Sequence, residues 1–183
     1  FYDHTAEYGG APRGSGIYSQ NDSGMATIKN LITFRNFTFG AKVFGETGPV
    51  KDFQFIDNIA FASADGSMMQ LEASSGSTST SNIWFVGNTI LGKLFLVYVS
   101  VGNSAQYVIG NTIVGTGLET SEHKNSVYTN NTIFCMKNIE QSELTTAANG
   151  YTSVLLSKSA LNIVWDYNTW YLGDGSTPWA FRF

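Results

Sequence analysis

The tripeptide Asn-Thr-Ile, with close variants, recurs along this chain and constrains its fold more than any other feature. Aligned on one asparagine, the segments read IKNLITF, IDNIAF, VGNTILG, IGNTIVG, TNNTIF and DYNTWY. The aligned asparagines are Asn30, Asn58, Asn88, Asn111, Asn131 and Asn168, with spacings of 28, 30, 23, 20 and 37 residues. The chain therefore contains a repeat with a core of about 20 residues and insertions of variable length.

Apolar residues hold fixed positions relative to these asparagines. Three residues before them stand Thr27, Phe55, Phe85, Val108, Tyr128 and Trp165. Two residues after them stand Ile32, Ala60, Ile90, Ile113, Ile133 and Trp170. The position directly after the asparagines reads Leu31, Ile59, Thr89, Thr112, Thr132 and Thr169. Such columns are expected when each repeat adds one layer to a shared core.

The repeat length and its residue types favour one architecture over the other repeat folds. Leucine-rich repeats need an LxxLxLxxN skeleton that the chain lacks, and propeller blades run to about 40 residues or more. Short β-branched strands, Gly and Asn turns and an asparagine at a fixed strand end predict an all-β fold, a parallel β-helix of about six coils. Coils stacked about 4.8 Å apart bring equivalent asparagine amides close enough to hydrogen-bond as a ladder.

Composition sets the class of protein and excludes one class of partner. At 183 residues the chain is long enough to bury one core, so we expect a single domain over residues 1–183. The net charge of −4 argues against nucleic acid, because phosphate binding needs an excess of Lys and Arg. The apolar run LFLVYVSVG, residues 94–102, is too short to span a membrane and is typical of a buried strand.

The insertions and the two ends of the chain carry further expectations. Residues 138–150 combine Asn138 as an N-cap, Gln141 at the capping-box spacing and Gly150 as a stop, which predicts one short helix. Neither end reads as a polar cap of a repeat stack. We therefore expect a piece of a longer β-helix chain, or a chain that associates with copies of itself.

Two neighbouring segments carry a resemblance to a known family. GSGIYSQND at residues 14–22, followed by ATIKNLITFRNFTFGAKVFGE at 26–46, resembles bacterial secreted members of the pectate-lyase-like superfamily of right-handed parallel β-helix proteins. The resemblance covers roughly residues 14–172. It implies a right-handed β-helix, a secreted or cell-surface location and a polysaccharide partner. That superfamily includes lyases, hydrolases, tailspikes and adhesins, so the resemblance is more specific for fold than for activity.

The resemblance also implies what a catalytic site would need. Polysaccharide lyases of this fold remove a proton next to a uronate carboxylate with a Lys or Arg base, and Ca²⁺ or another cation stabilises the resulting charge. Glycoside hydrolases of this fold use clustered carboxylates as acid and base. Ca²⁺ is therefore the cofactor that the resemblance allows, and the sequence assigns no ligands to it.

The best candidate cluster combines AKVFGE at residues 41–46 with QLEAS at 70–74. Counting from the aligned asparagines, the predicted neighbours are Lys42 with Gln70, Phe44 with Glu72, and Glu46 with Ser74. We interpret Lys42, Glu46 and Glu72 as catalytic candidates on one outer face. Phe44 and Gln70 are the adjoining candidates for contact with a sugar. The competing interpretation is an ordinary solvated sheet face.

The aromatic residues supply further candidates for sugar binding, because aromatic faces pack well against the C–H surfaces of sugar rings. Trp165 and Trp170 fall in the inward columns and are assigned to core packing. Trp84 and Tyr107 fall at the alternate position and are predicted to lie on the surface.

Two function classes follow. The first is an extracellular module that binds or cleaves polysaccharide, acting as a lyase or a glycoside hydrolase if it is an enzyme. The second is a non-catalytic structural module of a surface, fibre or tailspike-like protein, whose repeats provide length and stiffness. A third interpretation, ice binding through the threonine column, is disfavoured because such faces usually carry two threonines per coil and this chain carries one.

Overall fold

The computed structural model describes the chain in fourteen segments. They are residues 7–8, 11–12, 15–21, 23–34, 36, 39–45, 48–61, 69–75, 79–96, 103–120, 123–135, 154–155, 161–172 and 181–182. Across these segments the regular structure is β-strand, with no helix. The helix predicted at residues 138–150 lies outside the described residues.

The strands are short, as expected of a chain punctuated by Gly and Asn turns. In the first half they are β1 (Glu7–Tyr8), β2 (Ala11–Pro12), β3 (Ser15–Ser19), β4 (Ala26–Lys29), β5 (Ile32–Phe34), β6 (Phe39–Gly45), β7 (Val50–Ile56), β8 (Ile59–Phe61), β9 (Met69–Ser75) and β10 (Thr80–Val86). In the second half they are β11 (Thr89–Leu96), β12 (Asn103–Ile109), β13 (Thr112–Thr120), β14 (His123–Thr129), β15 (Thr132–Cys135), β16 (Val154–Leu155), β17 (Leu161–Asp166), β18 (Thr169–Leu172) and β19 (Phe181–Arg182).

Two parallel sheets contain nearly all of these strands. Sheet 1 has six strands in the order β17-β14-β12-β10-β7-β4, and sheet 2 has eleven, along the path β18-β15-β13-β11-β9-β6-β3 with four strands beside it. From β9 to β15 successive strands alternate between the sheets, so β10, β12 and β14 of sheet 1 lead into β11, β13 and β15 of sheet 2. The pairs β5–β6, β8–β9, β15–β16 and β18–β19 follow one another within sheet 2. The fold is therefore all-β, with mostly parallel strands in stacked sheets. The pair β1–β2 is antiparallel.

The inward columns predicted from the repeat form the core for most of the coils. Phe55, Phe85, Val108, Ile90 and Ile113 are each completely buried. The Phe55 and Phe85 rings, on neighbouring strands of sheet 1, stack with centroids 4.5 Å apart and an interplanar angle of 4°. Each such column contributes apolar area from every coil, which is the main stabilising term in a stacked repeat fold.

The first coil is shifted by one residue from the alignment predicted above. Leu31, and not Asn30, occupies the position equivalent to Asn58, because Ile32 pairs with Ile59 in the sheet 2 register. In sheet 1, Ile28 accordingly pairs with Phe55.

The alignment on Asn30 was wrong because it placed polar Thr27 in the inward column. A one-residue slip moves every side chain of a strand to the other face, so burial of Ile28 decides the register. Thr27 is exposed and Ile28 is partly buried against the core. Asn30 instead adopts a left-handed backbone with a φ of 55° at the turn.

Asparagines of the other five coils form a continuous series of hydrogen bonds, which we call the asparagine row. The Nδ2-to-Oδ1 distances are 2.9 Å for Asn58 to Asn88, 2.9 Å for Asn88 to Asn111, 3.0 Å for Asn111 to Asn131 and 2.8 Å for Asn131 to Asn168. Each Nδ2 also donates to a backbone carbonyl of the preceding coil. The row ends at Leu31, whose backbone N–H donates to Asn58 Oδ1 at 2.9 Å. Buried amides at these turns are therefore satisfied from one coil to the next.

Candidate functional site

Lys42 lies in β6 of sheet 2, between the completely buried Ala41 and Val43. The strand alternation therefore places position 42 on the outer face. The Lys42 Nζ atom lies 4.3 Å from the centroid of the Phe44 ring, two residues further along the strand. This is a cation–π distance, and it positions the ammonium group over an aromatic surface.

The backbone neighbour of Lys42 is Glu72 and not the predicted Gln70. The register of β6 on β9 pairs Lys42 with Glu72 and Phe44 with Ser74. The predicted pairing was wrong by two residues. The segment between β8 and β9 is three residues longer than the one between β5 and β6, and the one-residue shift of the first coil offsets one of the three. Positions two residues apart lie on the same face of a strand, so Glu72 lies on the same face of β9 as the predicted partner Gln70.

The structure thus brings two of the three predicted catalytic residues to neighbouring register positions. Lys42 and Glu72 lie on adjacent strands, at the spacing of about 4.8 Å that separates paired strands. Gln70 occupies the β9 position two residues before Glu72. Glu46 lies outside the described residues.

The same register row extends across sheet 2 in both directions, and we call it the Lys42 column. From β3 to β19 it contains Tyr18, Lys42, Glu72, Phe95, Glu119, Leu155 and Arg182. Tyr18 is 50% exposed, and its hydroxyl donates to the Phe44 carbonyl oxygen at 3.4 Å.

Sequence reasoning missed Glu119 as a member of this column. Its place in the column depends on three strand-to-strand registers, two of which contain a shift, next to Lys93 in the pairing of β11 with β13 and in that of β11 with β9. No periodicity in the sequence signals these irregularities.

The two aromatic candidates lie on the other sheet. Trp84 in β10 and Tyr107 in β12 are register partners in sheet 1, and both are partly exposed. Their rings stack with centroids 3.9 Å apart and an interplanar angle of 16°. One face of each ring is therefore covered by the other ring. The Trp84 Nε1–H donates to Asn82 Oδ1 at 2.7 Å, which fixes the orientation of the indole.

The sequence candidates therefore divide into two groups. Lys42, Phe44 and the positions of Gln70 and Glu72 belong to sheet 2, whereas Trp84 and Tyr107 belong to sheet 1. Strands directly before the asparagines belong to sheet 1, and strands directly after them belong to sheet 2.

In the described segments, the ion pair between other charged groups contributes little stability to either sheet. The ion pair there, Lys29 with Asp57 at 4.0 Å, joins two side chains that are each more than half exposed. Such a surface pair contributes little stability, because water and salt screen it. The described part of the chain contains no group of three or more His, Cys, Asp or Glu residues arranged to hold a metal ion.

Comparison with protein-family models, with curated proteins and with solved structures finds no match to this chain. Among the described residues, no helix is long and apolar enough to cross a membrane.

Proposed function

We propose that this protein is a secreted or cell-surface right-handed parallel β-helix that binds polysaccharide along the Lys42 column of sheet 2. Three observations support the fold assignment: the parallel stacking of both sheets, the alternation of strands between them and the asparagine row, which we interpret as the ladder of the β-helix. The resemblance of residues 14–46 to pectate-lyase-like proteins agrees with this interpretation.

The observation that carries the functional proposal is the adjacency of Lys42 and Glu72 on the outer face of sheet 2. The Lys42 ammonium group, 4.3 Å from the centroid of the Phe44 ring, supplies the cation and the aromatic surface that suit an acidic sugar, and Glu72 at the neighbouring register position is the candidate acid–base group. The ammonium of Lys42 neutralises a uronate carboxylate, and the Phe44 ring supplies apolar contact surface. A polymer lying across the strands meets one coil after another along the column.

Cleavage at this position is the more specific form of the proposal. In an elimination, a base removes the proton next to the uronate carboxylate, a C=C bond forms and the neighbouring glycosidic C–O bond breaks. The leaving oxygen takes a proton from an acid or from water, and the other fragment keeps an unsaturated sugar end. Lys42 and Glu72 are the candidates for the acid–base and charge-neutralising roles, with Glu46 as the third predicted member. Interactions that strengthen as negative charge develops on the substrate are those that accelerate such a step.

Incubation with a panel of uronate polysaccharides, with and without Ca²⁺, tests both forms of the proposal. New unsaturated ends raise the ultraviolet absorbance if the protein is a lyase, and affinity electrophoresis in the same polysaccharides reports binding without cleavage. Lys42→Met is expected to abolish both signals, whereas Lys51→Met, a matched change at an exposed position in β7 of sheet 1, leaves them unchanged. Absence of binding to every acidic polymer would refute the proposal.

A non-catalytic structural module is the alternative, and the sheet edges favour it. In the described part of the chain, β4 and β17 are the outer strands of sheet 1, and each pairs with one neighbour within that sheet. Unpaired parallel edges are templates for further strands from a longer chain or from a second copy. Concentration-dependent sedimentation, combined with no polysaccharide binding, would favour this alternative.

A further inference from the structure

Sheet 1 contains a second row of residues at equivalent positions, with one member unlike the rest. Its members and their φ angles are Asp52 (56°), Asn82 (54°), Ala105 (53°), Asn125 (52°) and Asn162 (54°). The residues on either side of these positions pair in register, so the row crosses β7, β10, β12, β14 and β17. Asn and Asp tolerate left-handed backbone because their side chains bond locally, whereas alanine is disfavoured there.

Amide hydrogen bonds connect this row on both sides of Ala105 and follow the same direction. Asn82 Nδ2 donates to Asp52 Oδ1 at 2.7 Å, and Asn162 Nδ2 donates to Asn125 Oδ1 at 3.0 Å. In each bond the residue of the later strand donates and the residue of the earlier strand accepts. These two bonds use Asn82 Nδ2 and Asn125 Oδ1, so the amide atoms that remain for the side of Ala105 are Asn125 Nδ2 and Asn82 Oδ1.

Ala105 leaves a gap in the row, since its methyl group can neither donate nor accept. Among the described residues, Asn125 Nδ2 has no hydrogen-bond partner. Asn82 Oδ1 accepts one hydrogen bond, from Trp84 Nε1, and retains capacity for a second. An asparagine at position 105 would present an acceptor to Asn125 and a donor to Asn82. Asn125 is exposed, so a ligand that completed the row would replace water, and it would need both an acceptor and a donor close together.

A vicinal diol of a sugar ring satisfies this requirement. One of its oxygens accepts from Asn125 Nδ2, and the neighbouring hydroxyl donates to Asn82 Oδ1. The stacked Trp84–Tyr107 pair lies two residues further along the same strands and adds partly exposed aromatic surface for the C–H groups of the ring. Asn82, Asn125 and the two aromatic residues are uncharged, so the arrangement suits a neutral sugar.

We propose that the gap at Ala105 is a subsite for the vicinal diol of a neutral sugar residue. The subsite lies on sheet 1, whereas the Lys42 column lies on sheet 2, and binding at one does not depend on cleavage at the other. Alanine is poorly suited to the left-handed backbone at position 105. Its presence there is explained if its small side chain leaves space for the ligand.

The test is a ¹⁵N NMR titration of the full chain with the methyl glycosides of glucose, galactose and mannose. At least one glycoside is expected to shift the Asn125 side-chain amide and the Trp84 indole signal saturably, at millimolar concentrations. Tetrahydropyran-2-methanol, which keeps the ring but lacks the vicinal diol, is expected to shift neither signal.

Two substitutions at position 105 test whether the gap itself binds the glycoside. Ala105→Asn completes the amide row and is expected to weaken glycoside binding at least tenfold. Ala105→Gly leaves the gap open, tolerates the positive φ and keeps the binding of the parent chain. Lys42→Met is also expected to bind the glycoside normally, which separates this subsite from the proposed function.

The proposal is overturned if no glycoside shifts the two signals, if the diol-free ring shifts them equally, or if Ala105→Asn binds as tightly as the parent chain. Thermal unfolding of both Ala105 variants verifies that each is folded, and both residues suit the backbone at this position.

Discussion

The outer faces of the two sheets differ in how their polar and aromatic groups are used. On sheet 1 the groups bond to one another: Trp84 stacks on Tyr107 and donates to Asn82, which in turn donates to Asp52. On sheet 2, Lys42 lies between its two register partners, Tyr18 on β3 and Glu72 on β9. Groups that satisfy one another stabilise the fold, whereas ion pairs at partly exposed positions contribute little stability. Substitutions on the two sheets should therefore separate stability from binding.

The asparagine row supports both sheets, and its interruption should have the largest effect. Asn111→Ala removes the acceptor of the Asn88 backbone N–H and the donor to the Phe85 carbonyl oxygen, both at buried positions. Leaving such groups unsatisfied costs about 1–3 kcal/mol each, so we expect the free energy of unfolding to fall by about 3 kcal/mol. Urea denaturation measures this loss.

A control for the row is available at the next residue. Thr112→Ala changes a partly exposed residue of the outward threonine column and should alter the unfolding free energy by less than about 0.5 kcal/mol. Equal losses for Asn111→Ala and Thr112→Ala would contradict a specific role for the asparagine row.

Removal of the aromatic pair Trp84–Tyr107 of sheet 1 should have the next largest effect on the free energy of unfolding. Trp84→Ala removes the stack with Tyr107, worth about 0.5–1.5 kcal/mol, and leaves Asn82 Oδ1 without its indole donor. With the apolar contact area that is also lost, we expect a decrease of about 2 kcal/mol in the unfolding free energy. Binding of uronate polysaccharide should be unchanged, and a combined loss of stability and uronate binding would show that the two faces are not independent. Trp84→Phe serves as the matched control, since it retains a ring for stacking.

The parts of the fold that sequence could predict are those that depend on the period of the repeat. The inward positions of Phe85, Val108 and Ile113 follow from the alternation of buried and exposed residues around the asparagine. The first coil was misaligned because Asn30 offered the expected residue type, whereas burial of Ile28 determined the register. An asparagine near a turn fits either a left-handed turn position or the asparagine row, so residue identity alone did not distinguish them.

The candidate site was harder to predict than the core. The adjacency of Lys42 and Glu72 depends on the length of the segment between β8 and β9, which the repeat does not constrain. The gap at Ala105 becomes visible only when the left-handed backbone and the direction of the amide bonds on either side are known. The positions proposed to bind ligands are therefore those where the repeat departs from its own pattern.

A gain in stability is expected at position 105. Ala105→Gly relieves an alanine held at a φ of 53° and should raise the unfolding free energy by about 1 kcal/mol, because glycine has no Cβ to clash in this conformation. The matched change at Asn125, Asn125→Gly, should stabilise less or destabilise, since it also removes the acceptor for Asn162. Thermal unfolding of the two variants side by side measures the difference. A loss of stability for Ala105→Gly would show that the alanine is not strained.

The smallest effect on stability is expected where the proposed effect on function is largest. Lys42→Met keeps a long apolar side chain over Phe44 and removes the charge, so the unfolding free energy should change by less than about 1 kcal/mol. The same substitution should abolish binding of uronate polysaccharide, because a neutral side chain cannot pair with the sugar carboxylate. Lys42→Arg keeps the charge and is expected to keep at least part of the binding. If Lys42→Met instead destabilised the fold as much as Trp84→Ala, the lysine would have a structural role, and the distinction between stabilising contacts on sheet 1 and uronate binding on sheet 2 would fail.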